Sequence, residues 1–213
     1  MTRPPRGNQP IVDPCCRFPH CVVMIYVLAY PQFEPSVAER IRRFRTENEP
    51  ARAKLVPPHV TLVFGLMNTR PHELLEHCEA VASRASQFEV SFVSEEITHD
   101  PFEKTYKLLL VSSTGSSQLA ALHDQLHEGV QRAERKDDIP YHPHMTVATN
   151  PDRTIIERLE TSSLGGFPLL GTIRALEVVK LENGGLHHLR TIPFGKSGLR
   201  SKAARGSAAG GRA

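Results

Sequence analysis

Two short segments constrain this chain more than anything else in it. Pro57-Pro58-His59-Val60-Thr61-Leu62 and His142-Pro143-His144-Met145-Thr146-Val147 repeat one pattern, Pro-His-apolar-Thr-apolar, once in each half of the chain. In a β-strand, residues i and i+2 share a face and the residues between them face away. His59 and Thr61 therefore project together, with Val60 and Leu62 entering an apolar layer behind them. His144 and Thr146 do the same in front of Met145 and Val147. With 11 His and 13 Thr, one His-x-Thr is expected by chance in roughly two of three such chains. Two copies, each with Pro directly before the His and apolar flanks, are far rarer. They ask for a fold that sets two strands face to face.

The rest of the pattern supplies such a fold. Val22–Leu28 is rich in β-branched residues and the run closes at Pro31, which reads as a buried strand over 21–29. At ten residues, Cys21–Tyr30 is too short to span a membrane, and no small-residue cleavage site follows it. A helix is expected from Pro35-Ser36 to about Asn48, then a strand over His59–Leu66. Pro71 opens a second helix with Leu74, Leu75, Cys78 and Val81 on one side. Strands are expected at Phe88–Val93 and Lys107–Val111. Ser116–Glu134 reads as one long amphipathic helix, with Leu119, Leu122, Leu126 and Val130 on one face. A strand over Tyr141–Thr149, a short helix over Asp152–Leu159 and strands at Leu170–Leu181 and Leu186–Phe194 complete the series. Glu182-Asn183-Gly184-Gly185 is a hairpin turn signal. Twice a helix leads through a Pro-His loop to a His-x-Thr strand, a further helix and another strand. The expected architecture is α+β, with two similar halves whose sheets face each other across a groove.

Residues 1–19 hold five prolines and read as a flexible leader; 196–213 is Gly, Ala, Ser and Arg and reads as a disordered tail. The folded body is then 20–195. Formal charge is only +3, and eight basic residues (Arg3, Arg6, Arg17, Lys196, Arg200, Lys202, Arg205 and Arg212) lie in the ends. Trp is absent and aromatics make up 6%. These features argue against gripping long nucleic acid or stacking many bases, and no DNA partner is expected. A small anionic substrate in a local pocket fits them. Cys15, Cys16, Cys21 and His20 lack zinc-knuckle spacing and read as reduced thiols and a bystander.

Two imidazoles and two hydroxyls around one point suit phosphodiester cleavage. A neutral imidazole takes a proton from the attacking oxygen, and a protonated one gives a proton to the leaving oxygen. Histidine serves because its ordinary pKa, about 6.5, lets both forms exist near neutrality. The hydroxyls donate to the non-bridging oxygens. Neither metal nor cofactor is required. His59 and His144 are the expected acid–base pair, their roles unassigned, and a bell-shaped pH–rate profile near neutrality follows.

On Pro58-His59-Val60-Thr61-Leu62 and Pro143-His144-Met145-Thr146-Val147 the chain resembles the two-histidine phosphoesterase superfamily, near its 2′-5′ RNA ligase-like and cyclic-nucleotide phosphodiesterase branch. The resemblance covers most of the body. It implies a bilobal, pseudo-two-fold fold of two antiparallel sheets with flanking helices and a central cleft. It implies opening of a 2′,3′-cyclic phosphate, on a small nucleotide or an RNA 3′ end, with reversible 2′-5′ ligation as a companion activity. His59, Thr61, His144 and Thr146 carry over directly. The competing reading is a non-catalytic RNA- or nucleotide-binding module; a metal-dependent hydrolase using His142, His144 and the cysteines is a third.

Other signals are weaker. His142 shares the strand parity of His144 and is a candidate substrate contact, as are Arg52, Lys54 and Tyr106; Lys107 and Lys136 lie near the motifs as well. Tyr141 is expected to pack. His123 and His127 in His-Asp-Gln-Leu-His are expected on a solvated helix face, and His187-His188 on the surface. A cytoplasmic monomer is the expected state.

Overall fold

The computed structural model describes residues 23–135 and 140–195. The leader, the tail, Cys15, Cys16, His20, Cys21 and Lys136 lie outside the described residues. The described chain forms β1 (Met24–Ala29), β2 (Gln32–Phe33), α1 (Pro35–Asn48), α2 (Pro50–Leu55), β3 (Val60–Leu66), α3 (Pro71–Arg84), β4 (Phe88–Asp100) and β5 (Thr105–Ser112). Then follow α4 (Ser116–Leu126), β6 (His144–Asn150), α5 (Arg153–Glu157), β7 (Leu169–Ile173), β8 (Ala175–Glu182) and β9 (Gly185–Pro193).

The strands make two antiparallel sheets, one in the order β3-β1-β8-β9 and one in the order β2-β7-β4-β5-β6. Each His-x-Thr strand is the edge of its sheet, and the edges β3 and β6 lie against one another. Val60, Leu62, Met145 and Val147 all enter the main core, as their alternation with the His and Thr positions requires. Core residues from both sheets and from α1, α3 and α4 join into one cluster, including Ile41, Phe44, Leu74, Val81, Leu119 and Leu126. A smaller cluster of Leu28, Val56 and Val179, with Tyr26 and Tyr30 against it, lies on the other side of β1. The core therefore fixes the backs of the motif strands and leaves their polar fronts to face the groove.

Several boundaries depart from the sequence reading. Leu170–Leu181 is two strands, not one: β7 belongs to the five-stranded sheet, β8 to the four-stranded sheet, and Arg174 alone separates them. No Gly or Pro marks the crossing. The helix expected to run to Glu134 stops at Leu126, and a 3-10 turn takes Gly129–Glu134. Gly129 has φ +72°, left-handed backbone that a continuing helix excludes. Pro50–Leu55 folds as the additional helix α2, with Pro at its start, where a missing N–H costs nothing. β4 extends past Val93 to Asp100 as the exposed part of a long hairpin with β5. The β8–β9 turn is as expected, with Asn183 and Gly184 at φ 53° and 75°, the type I′ geometry.

His123 and His127 are buried rather than on a solvated face. His123 Nδ1 donates to the Leu62 carbonyl at 2.7 Å, and His127 Nδ1 donates to the His123 carbonyl at 2.7 Å. Main-chain acceptors make these imidazoles tolerable inside the protein. His187 and His188 are exposed, as read.

Candidate active site

His59 stands immediately before β3 and His144 is the first residue of β6. The two are anchored alike. His59 Nδ1 lies 2.8 Å from the Pro57 carbonyl and His144 Nδ1 lies 2.7 Å from the His142 carbonyl. A carbonyl oxygen can only accept, so in each ring Nδ1 carries the proton and the neutral tautomer leaves the Nε2 lone pair available. The Pro before each His supports this geometry, because Pro disfavours helical backbone in the residue preceding it. The repeated Pro-His thus has a local purpose: an extended turn whose i−2 carbonyl fixes the tautomer.

Strand register builds the walls. In the four-stranded sheet Thr61 pairs Leu28, Leu28 pairs Glu177 and Glu177 pairs Thr191, so these four side chains make one row on one face. In the five-stranded sheet His144 pairs Val111 and Thr146 pairs Leu109, and Leu109 in turn pairs Glu96. The cleft face of that sheet therefore holds His144, Thr146, Leu109, Lys107 and Glu96. Tyr30 stands edge-on to His59, with centroids 6.5 Å apart. His142 Nε2 lies 3.3 Å from Glu96 Oε2, and the His142 ring stacks over His144 at 6.4 Å.

Both imidazoles are held below their ordinary range. Desolvation is the largest cause for His59, which is pushed down to about 4; the Pro57 carbonyl opposes this, while Arg45, Arg52 and His144 add to it. His144 is lowered, first by desolvation and then by the charges of His142 and Lys107, against the His142 carbonyl and Glu96. The charge on His144 bears on His59 directly, so the two sites are electrostatic neighbours across the seam between the sheets. Desolvation also pushes the Tyr30 phenol up to about 12, with Glu177 adding to it.

Among the residues expected at the site, the structure gathers His59, Thr61, His144, Thr146 and His142 around the cleft. Arg52, on α2, is close enough for its charge to act on His59. Two of the expected contacts lie apart from these. Tyr106 lies on the opposite face of β5 from Lys107, packing on the core with its ring 4.8 Å from that of His99; alternation puts Lys107, not Tyr106, in the cleft. Lys54 is exposed and lines a cavity of about 430 Å³ with Tyr30, Pro57 and Pro58, whose lining includes neither His59 nor His144. Tyr141 packs as expected, and its hydroxyl donates to the Thr61 carbonyl at 2.9 Å.

Sequence reading missed Glu96, Glu177, Thr191 and the place of Tyr30. Glu96 was out of reach, because alternation continued from Val90 and Phe92 would put it on the core face, and the irregularity between Phe92 and Ser94 turns it to the cleft instead. The row containing Glu177 depends on the break at Arg174, which local sequence does not mark. Among the described residues, no group of three His, Cys, Asp or Glu side chains is arranged as a metal-ligand set.

Two facing sheets, each lending one His-x-Thr edge strand to a shared cleft, define the two-histidine phosphoesterase class. The chain belongs to the 2′-5′ RNA ligase superfamily, whose sequence model matches residues 33–185. Solved structures agree in fold. TT0787 of Thermus thermophilus superposes with a TM-score of 0.54 at 18% identity, covering 80% of this chain and 97% of that one. Escherichia coli LigT in its apo form gives 0.50 at 14% identity, covering 81% and 98%. Usb1 of Kluyveromyces marxianus gives 0.50 at 10%, covering 80% and 98%. No curated protein matches the sequence significantly.

Proposed function

We propose that this protein is a metal-independent phosphodiesterase that opens 2′,3′-cyclic phosphates, on nucleotides or RNA ends, through acid–base catalysis between His59 and His144. The observation that carries this reading is the matched anchoring of the two imidazoles, each Nδ1 tied to the carbonyl two residues before it. That arrangement leaves two Nε2 atoms for proton transfer and two Thr hydroxyls beside them.

In the proposed reaction, one neutral Nε2 removes a proton from water as the water oxygen bonds to phosphorus. The other imidazole, protonated, gives its proton to the ribose oxygen whose bond to phosphorus breaks. Thr61 and Thr146 donate hydrogen bonds to the non-bridging oxygens while charge builds there. The product is a phosphomonoester with a free neighbouring hydroxyl, and the histidines end with their protonation states exchanged. Solvent restores them. The same ring-opening steps with a 5′-hydroxyl in place of water join that hydroxyl to the phosphate, which is the 2′-5′ ligation of the family name. Burial favours neutral imidazoles in the free protein, and an anionic phosphodiester between them favours protonating one. Residues 20–195 act in this reading as one bilobal catalytic domain.

The test is turnover of nucleoside 2′,3′-cyclic monophosphates in EDTA by wild type, His59→Ala and His144→Ala, with 2′- and 3′-phosphate products resolved. Loss of turnover in both variants supports the pair, and the product isomer identifies the bond that breaks. Nucleotide binding without turnover, unchanged in His59→Ala, would support a non-catalytic module instead.

A further inference from the structure

One carboxylate oxygen near the cleft is shared by two cations. Glu103 Oε2 accepts from Arg52 Nη2 and lies 3.2 Å from Lys107 Nζ. Arg52 belongs to α2, the helix that leads into the first motif; Lys107 belongs to β5, beside the second. An oxygen shared by a guanidinium and an ammonium is the environment a phosphoryl oxygen seeks.

We propose that Arg52 and Lys107 form a second phosphate subsite, which the Glu103 carboxylate holds until the neighbouring phosphate of a nucleotide chain displaces it. The inference rests on the phosphoesterase reading for the position of the reacting phosphate. It adds a second anionic group to what the substrate must carry.

The hairpin that bears Glu103 suits displacement. Glu103 lies in the turn between β4 and β5, beside Lys104 at φ 54°, and its side chain is 41% exposed. Asp100, the other acid on Lys107, is fixed instead: it accepts from the backbone N–H groups of Phe102 and Glu103 and from Lys107 at 2.6 Å. Asp100 stays and keeps Lys107 in place, while Glu103 can rotate toward solvent. Exchanging one anion for another leaves the two cations compensated, so the exchange exposes no unpaired buried charge.

The position fits a substrate that continues beyond the reacting phosphate. Lys107 shares the strand face of Leu109, and Leu109 is opposite Thr146. Two residues along a strand cover about 7 Å, comparable with the span between successive phosphates of one nucleotide. Both cations also act on the catalytic groups: Arg52 lowers His59, and Lys107 lowers His144. Burial works against the Glu103 carboxylate, yet Arg52 and Lys107 together hold it below its ordinary range.

The test is calorimetric titration of the full chain with uridine 3′-monophosphate and uridine 3′,5′-bisphosphate. In wild type the second phosphate should tighten binding about tenfold. Arg52→Gln should bring the two Kd values within about twofold, and Glu103→Gln should widen the gap, because the competing carboxylate is gone. Equal Kd values in wild type, or a bisphosphate advantage that survives Arg52→Gln, overturn the subsite. Cyclic-phosphate turnover measured on the same samples separates the two readings. Turnover with equal Kd values overturns the subsite alone; a bisphosphate advantage lost in Arg52→Gln, without turnover, supports the subsite and counts against the phosphoesterase reading.

Discussion

The Tyr141 hydroxyl donates to the Thr61 carbonyl at 2.9 Å, so the segment approaching the second motif holds the strand of the first. The next residue, His142, gives its carbonyl to His144 Nδ1. One dipeptide thus positions both motifs, Thr61 through a side chain and His144 through the main chain. The Tyr141 ring lies flat on His123, 3.9 Å between centroids at 3°, and His123 holds the next carbonyl along β3, that of Leu62. Tyr141→Phe keeps the stacking and removes one hydrogen bond. It should cost about 1–2 kcal/mol and lower Tm by about 3–6 °C. Because Thr61 moves with its carbonyl, kcat should fall about three- to tenfold with KM changed less than about twofold. Thermal melts and steady-state kinetics check both numbers; unchanged kcat at lowered Tm would make the bond purely structural.

The hydroxyls themselves have a distinct signature. Thr61→Val and Thr146→Val keep the β-branched shape and lose the donor. Each should reduce kcat by about ten- to a hundredfold, with a smaller change in KM, because the hydrogen bond strengthens as charge grows on the phosphoryl oxygen. Kinetics on both variants, with circular dichroism to confirm folding, test this.

The pH dependence of kcat/KM follows from the free protein. His59 is pushed down to about 4 and His144 is lowered, both chiefly by desolvation. The base must be deprotonated and the acid protonated, so the bell is bounded by two values below the ordinary 6.5. Its maximum should lie on the acid side of that value, whichever histidine plays which role. The kcat profile should lie at higher pH, since a bound phosphodiester anion favours imidazolium. Profiles of both parameters from pH 4 to 9 decide it; a kcat/KM maximum above pH 7 would contradict the burial argument.

The same depression governs stability in acid. In the unfolded chain each imidazole protonates near 6.5, while in the folded protein protonation is delayed, to about 4 for His59. Between these values the unfolded state binds more protons, so stability is complete above 6.5 and falls as the pH drops toward 4. Tm should decline across that window, and His59→Gln and His144→Gln should each flatten the decline. Melts at half-unit intervals of pH measure it.

A buried ion pair carries much of the link between α1 and the cleft. Arg45 and Glu49 are almost fully buried; Arg45 also donates to the Val56 carbonyl at 2.9 Å, and Glu49 accepts from Thr149 at 3.1 Å. The pair thus joins the loop before His59 to the end of β6. Glu49→Ala strands the guanidinium without its partner and should cost about 3–5 kcal/mol. A Glu49→Leu, Arg45→Met double variant should recover much of that loss. Denaturant titrations of the three proteins give the comparison.

How far the sequence reached depended on where the deciding partner lay. The His-x-Thr strands were legible because strand alternation is local: His59, Thr61, His144 and Thr146 on one face and Val60, Leu62, Met145 and Val147 behind them follow from period two alone. The Asn183-Gly184 turn was legible because left-handed backbone at two successive positions favours those residues. His123 was misread because its acceptor, the Leu62 carbonyl, is 61 residues away, and a helix pattern sees only its own neighbours. Alternation puts Tyr106 and Lys107 on opposite faces of one strand, but only the register with β6 decides which of the two faces is the cleft. The crossing at Arg174 left no trace because its cause is the closure of two sheets on one core.

That crossing bears on how the two walls of the cleft can shift. β7 and β8 belong to different sheets, yet Arg174 alone joins them, and its carbonyl accepts from the Phe194 N–H at 2.9 Å. The sheets are thereby pinned at a corner far along the chain from either histidine. The sheets also meet where β3 lies against β6 and they share one core, so the gap between the two motif strands is held by packing as well as by that corner. The two walls of the cleft are thus fastened at a residue that belongs to neither motif, so their alignment is decided by chain closure as much as by the motif strands themselves.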